Sequence, residues 1–127
     1  MKNTLQPLSQ DFSNLIGIPY ETLDCWGVAK EFYKIVFRYD LLDYYDHAPN
    51  DNEIAKDLIA KSKSDFEEVE TPEYGDILLI NLQGIPCHIA IYLSPSTILH
   101  TVKGSGCLVD RYSRWTKMVR SIHRVKR

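Results

Sequence analysis

The sequence predicts an α+β domain, and three observations carry that prediction. The first third holds apolar residues at helical spacing, whereas the last half holds short apolar runs separated by tight turns, the pattern of consecutive antiparallel strands. The third observation is size: 127 residues, 44% apolar and 25% charged, with 6 Gly and 6 Pro. That is enough chain to bury one hydrophobic core without staples, and its composition is not that of a disordered, collagenous or coiled-coil protein.

Asp24 to Arg38 reads as a helix, because Val28, Phe32, Ile35 and Val36 recur on one face and Asp24 suits the N-cap. A polar and aromatic connection, 41–49, leads to a second, weaker helix over 50–63. Asn50 or Asp51 would cap it, and Ile54, Leu58 and Ile59 form a narrow stripe. Pro72-Glu73-Tyr74-Gly75-Asp76 is turn chemistry. Strands are then expected at Ile77–Leu82, His88–Leu93, Thr97–Val102, Cys107–Val109 and Val119–Val125. The turns between them are Gln83-Gly84, Ser94-Pro95-Ser96 and Lys103-Gly104-Ser105-Gly106. No repeat or low-complexity segment breaks the chain, so residues 1–127 are expected to form a single domain with its core at about 15–125.

Fifteen Lys and Arg against 17 Asp and Glu leave a net charge of −2, which alone suggests no polyanionic partner. The charge is uneven: acids concentrate between Asp40 and Asp76, and Lys103 to Arg127 is basic, with Asp110 its single acid. A basic end can dock an acidic partner. Tyr112, Trp115 and Ile122 lie among these basic residues but read as strand and core positions, so no nucleic acid is expected. No apolar stretch approaches the roughly 20 residues of a membrane helix, and residues 1–7 lack a signal-peptide core, so neither insertion nor export by that route is expected. Three cysteines do not make a disulfide framework and leave at least one thiol to explain.

Cys25 directly follows the capping Asp24. There the free helix N–H groups and the helix dipole stabilise a thiolate and could hold the oxyanion of a tetrahedral intermediate. Such a nucleophile needs a base, and histidine is the side chain tuned for it. The Ser94-Pro95-Ser96 turn pairs residues whose numbers sum to about 190, which makes His88 and His100 cross-strand neighbours on one face. A base oriented by a second polar group follows the logic of a catalytic triad. Cys87 beside His88 invites a metal reading with Cys25 and His100. The short-spaced ligand pairs of cysteine–zinc sites are missing, however, and adjacent strand residues point to opposite faces, so neither metal nor cofactor is expected. Cys107 reads as packed or surface, and His47 and His123 have no evident partners.

Asp24-Cys25-Trp26-Gly27-Val28, Pro72-Glu73-Tyr74-Gly75-Asp76-Ile77-Leu78, His88-Ile89-Ala90-Ile91-Tyr92 and His100, in that order, resemble the NlpC/P60 cysteine peptidases. The resemblance implies a papain-like fold, with N-terminal helices packed on an antiparallel sheet of about five strands. It implies Cys25 as nucleophile, His88 as base and His100 as the residue that orients it. Asp24, with Tyr20 and Trp26, would contact a substrate peptide from peptidoglycan. The segment from Tyr20 to Tyr33, with Asp110-Arg111-Tyr112 and Trp115, is similar to the phage tail-tip and tail-assembly subgroup. That implies a virion protein assembled in the host cytoplasm, acting in the periplasm or cell wall and touching other tail proteins through its basic end. Two departures keep an inactive structural tail component as the alternative. Ser13 stands where many members carry a Tyr, and bulky Trp26 replaces a small Ser.

Overall fold

A computed structural model describes residues 11–41, 66–82 and 85–125, apart from the side chains at 85–87. The helix expected over 50–63 and His47 lie outside the described residues. Among the described residues one α-helix, α1 (Cys25–Phe37), packs on a six-stranded sheet. Its strands are β1 (Phe66–Val69), β2 (Ile77–Leu82), β3 (Ile85–Tyr92), β4 (Thr97–Val102), β5 (Gly106–Arg111) and β6 (Val119–Val125).

Strands β2 to β5 form the expected meander. The chain then returns to the far side of β2, so that β6 pairs with β2 and β1 pairs with β6, every pair antiparallel. The sheet therefore has six strands rather than five. The extra strand, Phe66-Glu67-Glu68-Val69, has two exposed carboxylates between its apolar ends and no alternation to reveal it. Its identity comes from pairing with β6, Phe66 opposite Val125 and Val69 opposite Ile122. β3 begins three residues before His88 because its ladder with β2 continues past an irregularity at Ile80/Asn81 to Leu82↔Ile85.

The sheet buries both faces. Ile77, Leu79, Ile89, Ile91, Leu99 and Val125 pack in one cluster with the apolar stripe of α1. Leu78, Ile80, Ala90, Tyr92, Ile98 and Ile122 form a second cluster, against which Tyr112, Trp115 and Met118 lie. This division is the period-2 alternation of the strands. On α1, Cys25, Trp26, Val28, Ala29, Phe32, Tyr33, Val36 and Phe37 are buried. Phe32 is fully enclosed, among the rings of Phe12, Tyr33, Phe37 and Tyr74.

Two contacts set the position of α1 along the sheet. Near its C-terminus the Tyr33 hydroxyl donates to the Gly75 carbonyl. The Phe37 ring also lies so close to Gly75 (φ +90°) that a Cβ there would sit 2.7 Å from Phe37 Cζ. Gly75 is thus required twice, by its left-handed backbone and by the ring against it. At the other end, residues 17–18 bond across to β5, with Gly17 N–H to the Cys107 carbonyl at 2.8 Å and Cys107 N–H to the Ile18 carbonyl at 2.9 Å. The segment leading into α1 is thereby tied to the edge strand of the sheet.

Candidate active site

The N-terminus of α1 opens on a capped turn. Asp24 is extended, and its Oδ1 accepts from the Gly27 N–H at 2.8 Å. Gly27 belongs to the same device, since a Cβ there would meet Leu23 Cδ1 at 2.8 Å and Asp24 Oδ1 at 3.2 Å. Cys25 is the first helical residue, where N–H groups without intrahelical acceptors and the positive end of the helix dipole favour an anion. Its side chain is buried, 2% exposed, in the cluster between α1 and the sheet.

The start of α1 lies at the end of the sheet where β4 finishes. Tyr20, Glu21, Thr22, Leu23, Asp24 and Gly27 line an open cleft with Lys103, the residue after β4. Its volume is ≈ 610 Å³. The Lys103 ammonium stands 5.2 Å from the centroid of the Tyr20 ring, a cation–π distance. Tyr20 and Asp24 therefore share one cleft. Trp26 does not line it: the ring is buried and meets Phe66 edge-on, centroids 6.4 Å apart.

β3 and β4 bring the two histidines together. Their register, Ile91↔Leu99 and Tyr92↔Ile98, sums to the expected 190. His88 Nε2 and His100 Nδ1 are 2.8 Å apart, with the rings edge to face. Both side chains are buried. Beyond His100 the contacts continue: its Nε2 lies 3.1 Å from Asp110 Oδ2, and the Trp115 indole N–H donates to the same oxygen at 3.1 Å. The Arg111 N–H donates to Asp110 Oδ1 at 2.7 Å. The Trp115 ring lies 5.0 Å from His100 and 5.7 Å from His88, centroid to centroid, flanking both imidazoles.

Charge states follow from these surroundings. Burial lowers the pKa of His100 below the ordinary 6.5 and outweighs the opposing pull of Asp110, which favours the neutral imidazole. Burial alone would raise the Asp110 carboxyl. The bonds from Trp115, Arg111 and His100 more than offset it and hold the group below its ordinary 3.8. Asp110 and Trp115 were not singled out by sequence as site residues. The signal lay in the β4–β5 hairpin: its register sets His100 opposite Leu108 and Asp110 opposite Ile98, so Asp110 is the diagonal neighbour of His100 on one face.

Strand alternation places His88 with Ala90 and Tyr92 on the face of the second cluster, whereas Cys25 belongs to the first, with Ile89 and Ile91. Cys25, at the start of α1, and the imidazole pair lie toward the same end of the sheet. The remaining expectations fall outside the site. Cys107 is buried, and burial pushes its thiol up to about 11. His123, expected to lack a partner, is buried with Nε2 2.7 Å from the Ser121 hydroxyl, and burial lowers its pKa.

A capped helix that opens on a cysteine, packed on an antiparallel sheet that carries a histidine pair, is an α+β arrangement consistent with the NlpC/P60 fold. The sequence profile of the NlpC/P60 family matches residues 14–124, and the chain belongs to that family. The family is in general one of cysteine peptidases of the peptidoglycan-hydrolase kind. No curated protein matches the chain as a relative. Among the described residues no helix is long and apolar enough to cross a membrane.

Proposed function

We propose that this protein is a thiol endopeptidase that hydrolyses amide bonds in peptidoglycan stem peptides. The observation that carries the reading is the 2.8 Å His88–His100 pair at the end of the sheet where Cys25 opens α1. The Cys25 thiolate attacks the amide carbonyl carbon, and backbone N–H groups at the start of α1 hold the oxyanion. His88, as imidazolium, gives its proton to the departing amine while the C–N bond breaks and a thioester remains. His88 then takes a proton from water, whose oxygen attacks the thioester and releases the carboxylate and the thiol. His100 orients His88, and Tyr20 and Asp24 bind the peptide in the cleft they line. The family suggests a stem-peptide bond, commonly one involving D-Glu and diaminopimelate, and the proposed setting is local wall opening by a phage tail, with the basic C-terminal region against neighbouring tail proteins. Digestion of purified muropeptides followed by mass spectrometry tests this. Wild type yields new fragments and Cys25→Ser none, while a folded wild type without cleavage, or equal cleavage by both, overturns it.

A second reading is favoured by the 2% exposure of Cys25. In it the domain is a tail-assembly module that retains the fold without the chemistry. Alkylation of Cys25 against pH separates the two. A thiol titrating near about 8.5 and indifferent to His88→Ala supports the module.

A further inference from the structure

The geometry points to Asp110 as a positioning residue that sets the proton arrangement of both site histidines, with Trp115 holding its carboxylate in place. The inference rests on the proposed peptidase reading for its consequence, but its physical content is independent of it. Three links make the argument.

The first link is the carboxylate. Ionised Asp110 can only accept, and its Oδ2 lies 3.1 Å from His100 Nε2. The proton of His100 must therefore sit on Nε2. The second link is the neutral ring. With Nε2 protonated, His100 Nδ1 carries a lone pair and can only accept. His88 Nε2, 2.8 Å away, must be the donor. The third link follows at once: neutral His88 with its proton on Nε2 has its basic lone pair on Nδ1. One carboxylate thus fixes two tautomers in series and decides which nitrogen of His88 can take a proton. When His88 becomes imidazolium, the chain His88–His100–Asp110 holds it with the same two bonds.

Trp115 explains why this carboxylate can do so. Its indole N–H shares Oδ2 with His100, while the Arg111 N–H takes Oδ1. Both oxygens are held by donors, so the group is fixed in rotation and accepts on each side. Its ring also covers both imidazoles. In Asp110→Asn an amide cannot satisfy that set. With its oxygen toward Arg111, its NH₂ faces His100 Nε2 and forces the proton to Nδ1. That in turn forces the His88 proton to Nδ1, where the lone pair was.

Two-bond ¹H–¹⁵N correlation spectra of ¹⁵N-labelled protein at slightly alkaline pH read the tautomers directly, on wild type, Asp110→Asn, Asp110→Glu and Cys25→Ser. Wild type and Cys25→Ser should show Nε2–H on both His88 and His100. Asp110→Asn should move both protons to Nδ1, and Asp110→Glu, which keeps an acceptor-only carboxylate, should restore Nε2–H. On muropeptides, kcat of Asp110→Asn should fall about 100-fold with KM within about 2-fold, and Asp110→Glu should recover most of it. Nδ1–H on His100 in the wild type would overturn the assignment, as would unchanged tautomers in a folded Asp110→Asn. Expected tautomers in a wild type that cleaves nothing would remove the peptidase reading and leave the role of Asp110 supported.

Discussion

Two carboxylates on the sheet, Asp76 and Asp110, hold their partners for opposite purposes. At the end where α1 finishes, Asp76 is buried against Arg124, with Arg124 Nη2 to Asp76 Oδ2 at 2.7 Å and Nε to Oδ1 at 3.0 Å. The Glu73 N–H adds a bond to Asp76 Oδ2 at 2.7 Å, and Arg124 also meets Glu73 and the Thr71 carbonyl. Burial pushes the Asp76 carboxyl up, and these partners oppose it. Tyr33 and Phe37 close over Gly75 beside it. The carboxylate of Asp110, in β5 opposite Ile98 and so in the same row as Asp76, reaches toward the end where α1 begins and holds a histidine instead of an arginine, with an open cleft at that end. A permanently charged partner makes a clamp, whereas a titratable one makes a device for moving protons.

The largest expected effect falls on the histidine chain to Asp110. His88→Ala should lower the rate of muropeptide hydrolysis per folded molecule by about 10²–10⁴-fold, the usual worth of a positioned base. Equal activity in the variant would erase the distinction between the two roles. Next comes the Asp76 clamp: Arg124→Met leaves the Asp76 carboxylate buried without its partner and should cost about 3 kcal/mol in urea unfolding. Its hydrolysis rate per folded molecule should be unchanged. Phe32→Ala, in the core, should cost a similar ~3–5 kcal/mol through the cavity it leaves.

The smallest effect is the most discriminating. Two buried histidines separate the two roles, His100 in the chain to Asp110 and His123 in β6 opposite Ile77. Burial lowers both pKa values below 6.5. The unfolded chain therefore binds more protons than the fold between the folded pKa and 6.5. Their stabilising contribution is complete above 6.5 and is lost as pH falls below it. Thermal midpoints measured from slightly alkaline to mildly acid pH should decline through that window. His123→Gln should flatten the decline without altering the pH profile of kcat, whereas His100→Gln should alter both. A His123 variant that changes the kcat profile would show that His123 is not merely structural.

Much of this arrangement was legible in the chain. The helix from Cys25 to Phe37 announced itself through its apolar stripe and Asp24, and the meander through its turns. The 2.8 Å histidine pair followed from the Ser94-Pro95-Ser96 turn, because a tight hairpin fixes its own register. β1 was not legible, since its Glu67 and Glu68 mask a strand that exists only through its pairing with β6. Trp26 was illegible in a different way: a motif position beside a nucleophile says nothing of which side of α1 the ring takes, and packing against Phe66 takes it into the core.

By itself the sequence determined what depends on neighbours along the chain: the capped helix with Cys25 at its start, the hairpins, and the alternation that puts His88 and His100 on one face. Only the tertiary structure decided what depends on residues far apart. It laid β6 beside β2, joined Asp76 to Arg124 across 48 residues, and set Trp115 over both imidazoles with Asp110 behind them. The reason is physical. Local geometry is set by dihedral preferences and turn chemistry that each short segment carries within itself. A buried carboxylate, by contrast, acquires its partner, and therefore its proton chemistry, only when the whole core closes around it.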